Sequence, residues 1–261
     1  MSRANGKERN IQSLERAVTI LDNLLNKPQG EKLTIIAQEL GLSKSTTFGL
    51  VSTLENLGLL HQSSQSGKYM LGIKLLTYGD VIRNSIRLPD MANSMMEKLA
   101  NRFGENVHLA ILDDGSVLYL GTVTTSNSMQ VVVHIGGRAP FYSTSLGKVL
   151  VAALPDDKVD ELLDNTELIP RTKNTICDKN VFRAEIQKVR AQGYASERDE
   201  GEIGIACFAA PIRNRVGDVI AAISIAQPTA RLEQRDPQEI VHALLETARE
   251  ISNTCGNLSF Y

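Results

Sequence analysis

Apolar residues recur along this chain with two different spacings, and the switches between them divide it. Leu14, Val18, Leu21 and Leu25 fall on one helical face, with Ala17, Ile20 and Leu24 beside them. Lys27-Pro28-Gln29-Gly30 ends that helix. Ile35, Ile36, Ala37 and Leu40 form a second apolar arc, with Thr34 as its candidate cap and Gly41 placed for a left-handed turn after its last residue. Ser43 caps a third helix, in which Leu50, Val51, Leu54 and Leu57 return at steps of three and four. The spacing then shortens. Leu59-Leu60-His61-Gln62 and Lys68-Tyr69-Met70-Leu71 read as strands around the polar turn Ser63-Ser64-Gln65-Ser66-Gly67. Helix, turn, helix and hairpin predict a winged helix-turn-helix over residues 10–72.

Ile73 to Ser85 is helical again, with Gly79 weakening it, and Leu88-Pro89 ends it because the residue before proline disfavours helix. Residues 73–87 read as a linker helix. Met91, Met95, Leu99 and Phe103 open a second domain, residues 88–261. Val107, Leu109 and Ile111 alternate, Asp113-Asp114-Gly115 turns, and Val117 to Leu120 pairs back. Met129 to Ile135 reads as a third strand, before a helix from about Ser145 to Leu154. Short helices follow at Val159 to Leu163 and at Phe182 to Val189, the latter closed by Gly193. Ile203 to Ile212 and Val219 to Ala226 read as paired strands. Asp236, Pro237 and Glu239 start a last helix in the manner of a capping box. The fold class is α+β, with helices flanking a mixed or mostly antiparallel sheet.

The third helix carries the first chemical signal. Its core-facing half is apolar, while its start, Ser43-Lys44-Ser45-Thr46-Thr47, is short, polar and crowded. A helix anchored at one end and offering hydroxyls and a cation at the other suits the DNA major groove. A helix pair joined by a glycine turn is also common in helical domains; the wing after it favours DNA. Thr34, Ser43, Lys44, Ser45, Thr46, Thr47 and Lys68 are the candidate DNA contacts.

Charge adds a division of labour. The chain of 261 residues has a net charge of −2, which by itself argues against nucleic acid. Residues 1–75 hold nine Lys/Arg against six Asp/Glu, while the remainder holds 19 against 24. A mildly basic first domain joined to an acidic second one fits a protein that touches phosphate only through the first. So small an excess calls for several copies acting together. The polar start MSRANGKERN has no apolar core of a signal peptide, and no apolar run is long enough to span a bilayer. Three widely spaced cysteines, Cys177, Cys207 and Cys255, fit a reducing cytoplasm. His61, His108, His134 and His242 are scattered, so no metal is expected; no phosphate or dinucleotide glycine motif appears, so no cofactor is expected.

Two stretches of the second domain are unlike plain scaffold. Gly136 to Lys148 is a glycine-bearing loop entering a helix rich in hydroxyls, where free N–H groups favour an anion such as a carboxylate. An ordinary capped helix gives the same pattern. Glu197-Arg198-Asp199-Glu200 precedes the strand that holds Cys207. It reads as a solvated loop or as a pocket mouth. A hydrolase with Cys207 as nucleophile is the competing function, but it needs a base that the sequence does not place. A redox sensor ranks last, since Gly-Ile-Ala-Cys-Phe-Ala-Ala is too apolar to favour a thiolate.

In this order and spacing, four segments resemble the IclR family of transcriptional regulators. They are Leu14-Glu15-Arg16-Ala17-Val18, Leu42-Ser43-Lys44-Ser45-Thr46-Thr47-Phe48, the Gly136 to Lys148 loop, and Gly193-Tyr194 followed by Cys207-Phe208-Ala209-Ala210-Pro211-Ile212. The resemblance implies a DNA-binding winged helix, a linker helix and a GAF-like effector domain. It implies a homodimer or homotetramer, a double-stranded operator, more often a repressor, and a small carboxylate effector. By position the pocket would contain Val131, Ala139, Ser145, Leu146, Glu197, Ile205, Cys207 and Ser224. Ser145 and Leu146 would offer N–H groups to a carboxylate, Cys207 and Ser224 weaker polar contacts, and Val131, Ala139 and Ile205 the apolar walls. The chain departs from the family pattern at Glu197, where Asp is usual, and at Gly49, where relatives often carry Arg. Ala139 stands where relatives have a larger residue, which widens the pocket toward a polyhydroxy acid.

Overall fold

A computed structural model describes residues 11–85, 87–125 and 133–255. The chain divides after Ser85 into two compact units. The first holds helices α1 (Gln12–Leu25), α2 (Leu33–Glu39) and α3 (Lys44–Asn56), the strands β1 (Leu60–Gln62) and β2 (Tyr69–Leu71), and α4 (Lys74–Ser85). α2 closes as the sequence requires. Gly41 has φ +62°, its N–H bonds to Gln38 and that of Leu42 to Ala37, so both late carbonyls are satisfied. α3 opens on Ser43, whose side chain accepts from Thr46 N–H. β1 and β2 pair antiparallel, Leu60 opposite Leu71.

Three expectations for this unit are corrected. Thr34 is no cap: α2 begins two residues earlier than such a cap would allow, at Leu33 after Lys32, and no side chain caps it. The apolar stripe of α1 is not its core face. Ile20 and Leu24 enter the core, while Leu14, Val18 and Leu25 remain more than half exposed. The core of this unit, built on Ile20, Leu24, Ile36, Val51, Leu54, Leu60 and Tyr69, is too small to cover so wide an arc. Leu57, at the end of α3, is likewise exposed.

Among the described residues the second unit is a six-stranded antiparallel sheet with helices on both faces. It contains α5 (Leu88–Phe103), β3 (Asn106–Asp113), β4 (Ser116–Val123), β5 (Arg138–Pro140), a 3-10 turn (Phe141–Ser143) and α6 (Ser145–Ala152). Then come α7 (Asp156–Asp164), α8 (Lys179–Gln192), β6 (Ala195–Arg198), β7 (Ile205–Arg213), β8 (Val219–Pro228), α9 (Thr229–Leu232) and α10 (Pro237–Cys255). The strand order is β5-β4-β3-β8-β7-β6. The β3–β4 turn is a two-residue hairpin in which Asp114 and Gly115 both take positive φ, 46° and 67°. Strand alternation sends Val107, Leu109, Ile223 and Ile225 to α5 and α10 on one face. It sends Ala110, Ala209 and Ala222 to α6 and α8 on the other.

Of the strand expected at Met129 to Ile135, residues 129–132 lie outside the described residues, and 133–135 are not strand. The strand beside β4 is β5. The acidic segment, read as a loop or pocket mouth, contributes β6 at the sheet edge, with Glu197 opposite Cys207. The capping box of α10 is half formed. Asp236 accepts from Gln238 N–H, but the Glu239 side chain pairs with Arg102 at 3.1 Å instead.

Candidate functional site

Apart from Phe48, the exposed surface of the first turns of α3 is polar. Ser45, Thr46, Gly49 and Thr53 face solvent, and Ser43 Oγ lies 3.0 Å from Ser45 Oγ and 2.8 Å from Thr46 Oγ1, a cluster of hydroxyls around the first turn. Lys44 is exposed beside them. Nothing lies within 4 Å of where a Gly49 Cβ would stand, so the helix offers its backbone to a partner there. Thr47 is corrected: it is fully buried, and its hydroxyl donates to Ser43 O. Lys68 Nζ sits 3.4 Å from Gly30 O, turned back along the unit.

In the second unit α6 starts in a buried setting. Thr144 Oγ1 accepts from Gly147 N–H at 3.1 Å, and Thr144 O accepts from Lys148 N–H. Among the described residues this leaves the N–H groups of Ser145 and Leu146 without acceptors, and both residues are only 2% exposed. Gly147 is required here, since a Cβ would stand 2.2 Å from Phe141 O. Ser143 Oγ, just before the helix, is buried with no hydrogen-bond partner among the described residues.

Facing α6 across the sheet edge is Glu197. Burial pushes its carboxyl up to about 7, against the opposing pull of a hydrogen bond from Cys207, a bond from Glu200 N–H and the charge of Lys148. It is therefore partly protonated near neutrality, an uncommon state for a carboxyl. Burial and the neighbouring Glu197 hold the half-buried Cys207 thiol well above its ordinary range. Tyr119 lies close enough to both for their charges to add to burial in raising its phenol to about 12. Lys148, 1% exposed, ties α6 to the loop after β6: its ammonium meets Glu200 at 2.6 Å, Ser196 O at 3.2 Å and Glu185 at 3.7 Å. Among the described residues no group of three or more His, Cys, Asp or Glu gathers to hold a metal.

Residues 13–64 match the model of the IclR helix-turn-helix domain, and residues 82–253 match that of the bacterial transcriptional regulator IclR C-terminal domain. The chain belongs to the IclR family. It is a DNA-binding transcriptional regulator with a C-terminal effector domain. It is 34% identical to the HTH-type transcriptional regulator XynR of Escherichia coli K12, over 94% of this chain and 98% of that one. It is 31% identical to the DNA-binding transcriptional repressor YiaJ of the same organism, over 97% and 92%. A solved IclR homologue from Microbacterium hydrocarbonoxydans, complexed with 4-hydroxybenzoate, superposes with a TM-score of 0.78 at 27% identity, over 93% and 98%.

On this IclR-family fold, Ala139, Ser145, Leu146, Glu197, Ile205, Cys207 and Ser224 are brought to the face of the sheet that α6 and α8 cover. Val131 lies outside the described residues. Three residues escaped the sequence reading. Phe48 is 54% exposed on α3, and its signal was present, since it falls off the apolar stripe of that helix. Lys148 and His108 gave no local signal, because only strand pairing and helix packing bring them to this face. No helix among the described residues is long and apolar enough to cross a membrane.

Proposed function

We propose that this regulator represses transcription from a palindrome-like operator in the cytoplasm, and that a small carboxylic acid bound over the sheet of the second unit sets its affinity for DNA. One observation carries the effector reading: two buried N–H groups, of Ser145 and Leu146, stand open at a helix start. An anion there is favoured by the helix field and by both donors. A carboxylate fits beside Glu197 because burial keeps that group largely protonated below about pH 7. The acid bound by the Microbacterium relative is of this class. Val131, Ala139 and Ile205 would form the walls of the pocket, with Cys207 and Ser224 as polar contacts.

The DNA reading rests on α3. Ser43, Lys44, Ser45 and Thr46 would meet phosphates and base edges, Thr34 at the start of α2 and Lys68 on the wing would flank them, and Phe48 would contact thymine methyls. The name of YiaJ supports repression. Exposed apolar side chains on α1 (Leu14, Val18) and α4 (Leu76, Val81, Ile82) call for cover, which a second copy would provide, in a homodimer or a homotetramer. We assign no catalysis: a thiol pushed up by burial and bonded to Glu197 is a poor nucleophile.

A thermal-shift screen of the full chain tests the effector reading. The panel pairs hydroxylated with deoxy acids: lactate and propionate, 3-hydroxybutyrate and butyrate, gluconate and hexanoate, 4-hydroxybenzoate and benzoate. A bound acid at a hundred times its dissociation constant stabilises by about 2.7 kcal/mol. A folded protein that no acid stabilises contradicts the reading.

A further inference from the structure

The sheet face under α6 and α8 holds a polar atom that the carboxylate reading does not use. His108 lies in the middle of the sheet, on β3 between β4 and β8, and is 2% exposed. It shares its face with Ala110, and its neighbour on β8 is Ser224. Its ring stands edge-on to Tyr119, with centroids 5.9 Å apart and planes at 74°. One nitrogen is accounted for: Nδ1 lies 2.9 Å from Thr122 Oγ1 on the paired strand. The other, Nε2, is buried and has no hydrogen-bond partner among the described residues.

A structural role does not explain that atom. Packing between strands would be met by an apolar side chain, whereas an unmatched buried nitrogen is destabilising. Charge does not explain it either, since burial lowers the imidazole to about 4 and leaves it neutral near pH 7. A neutral imidazole has one donor and one acceptor nitrogen. The Thr122 hydroxyl can donate to Nδ1 or accept from it, so Nε2 takes the complementary role in either case. A hydroxyl is a neutral group that satisfies Nε2 both ways. Tyr119 and Ser224 flank the same spot, while the open start of α6 borders the same face.

We propose that His108 Nε2 reads a hydroxyl group of the acid effector, so that the site takes hydroxy acids in preference to their deoxy counterparts. The inference rests on the carboxylate reading above: the α6 start holds the carboxylate, and His108 selects what the rest of the molecule must carry. His108 is thus a specificity residue, separate from the Glu197–Cys207 pair.

The test measures dissociation constants of the full chain for the four acid pairs, by calorimetry, in the native protein and two variants. His108→Asn keeps an amide where Nδ1 meets Thr122 but removes the atom at the Nε2 position; His108→Gln puts one back near it. The native protein is expected to bind the hydroxylated member of the recognised pair about tenfold or more tightly than its deoxy partner. In His108→Asn the preference should fall to within about twofold with the deoxy acid bound as before, and His108→Gln should restore part of it. Equal binding of the two members by the native protein, or an undiminished preference in His108→Asn, overturns the proposal and leaves the carboxylate reading standing. If no acid of the panel binds the folded native protein, the carboxylate reading fails and this proposal fails with it. The deoxy comparison in the native protein keeps the test decisive even if a variant does not fold.

Discussion

Helices α3 and α6 begin with the same device in opposite surroundings. In each, a hydroxyl side chain just outside the first turn accepts from an N–H within it, Ser43 from Thr46 and Thr144 from Gly147. Around α3 the hydroxyls are exposed; around α6, Ser145 and Leu146 are 2% exposed. The field at the two helix starts is alike in kind, and water makes the difference. An anion at α3 competes with solvent and salt, so affinity there must be assembled from many phosphate contacts. An anion at α6 would lose its water and meet weakly screened donors, so on the proposed function one carboxylate would suffice and shape would decide which. On the proposed function, a sequence pattern that says only "capped helix" would serve a long polyanion at the surface and a small acid inside.

The largest expected effect breaks the buried side of this comparison. Lys148→Met leaves Glu200, 12% exposed and already raised by burial, without its 2.6 Å partner. Losing one member of a buried pair costs about 3–5 kcal/mol. Urea melting of the full chain should show the loss in the second unit, and Lys148→Met with Glu200→Gln should recover most of it. An unchanged melt would mean that the α6 frame does not depend on this pair.

Glu197→Gln comes next and sharpens the electrostatic half. The groups facing Glu197 are Cys207 from β7, Tyr119 from β4, Lys148 from α6, and Glu200 from its own loop. In the unfolded chain the carboxyl ionises near 4.5, whereas in the fold it keeps its proton up to about 7. Its contribution is therefore fully present below about 4.5, falls as pH rises from there to about 7, and is level above. The glutamine variant should lack that slope and gain about 1–3 kcal/mol relative to the native chain above pH 7. His108 acts with the opposite sign: its lowered value makes the fold lose stability as pH falls from about 6.5 toward 4. Melting curves across pH 4–8 separate the two: Glu197→Gln should remove the loss of stability with rising pH and leave the opposite slope of His108 below about 6.5, and a loss with rising pH that survives the substitution contradicts the assignment.

The smallest effect is at the exposed helix. Lys44→Ala should weaken binding to all DNA sequences alike and make the slope of log affinity against log salt shallower by about one. An unchanged slope would remove Lys44 from the phosphate contacts.

What could be read in the sequence was local. The Ser43 cap, the Gly41 turn, the Asp114-Gly115 hairpin and the Gly193 stop each depend on a residue and its immediate neighbours, and each stands as expected. Errors arose where tertiary context decides. Thr47 looked like part of a polar cluster, but its place in the helical turn points it at the core. Glu239 had the spacing of a capping box, but Arg102 on α5 offers it a charge. Leu14 and Val18 carry the period of a core face, yet the small unit has no core left to cover them. Lys148 and His108 acquire their surroundings from strands and helices far away in sequence, so no local pattern marks them.

The proposed regulation requires the buried helix start and the exposed one to be coupled. The most direct measurement is the affinity of a recognised acid for the full chain, free and then saturated with operator DNA obtained by in vitro selection. Coupling requires the acid's dissociation constant to change on the DNA by the same factor as the DNA's does on the acid. We expect at least a fivefold weakening on the operator, the lower end of ordinary allosteric coupling. An identical constant in both states would mean that the acid binds without informing the DNA-reading helix.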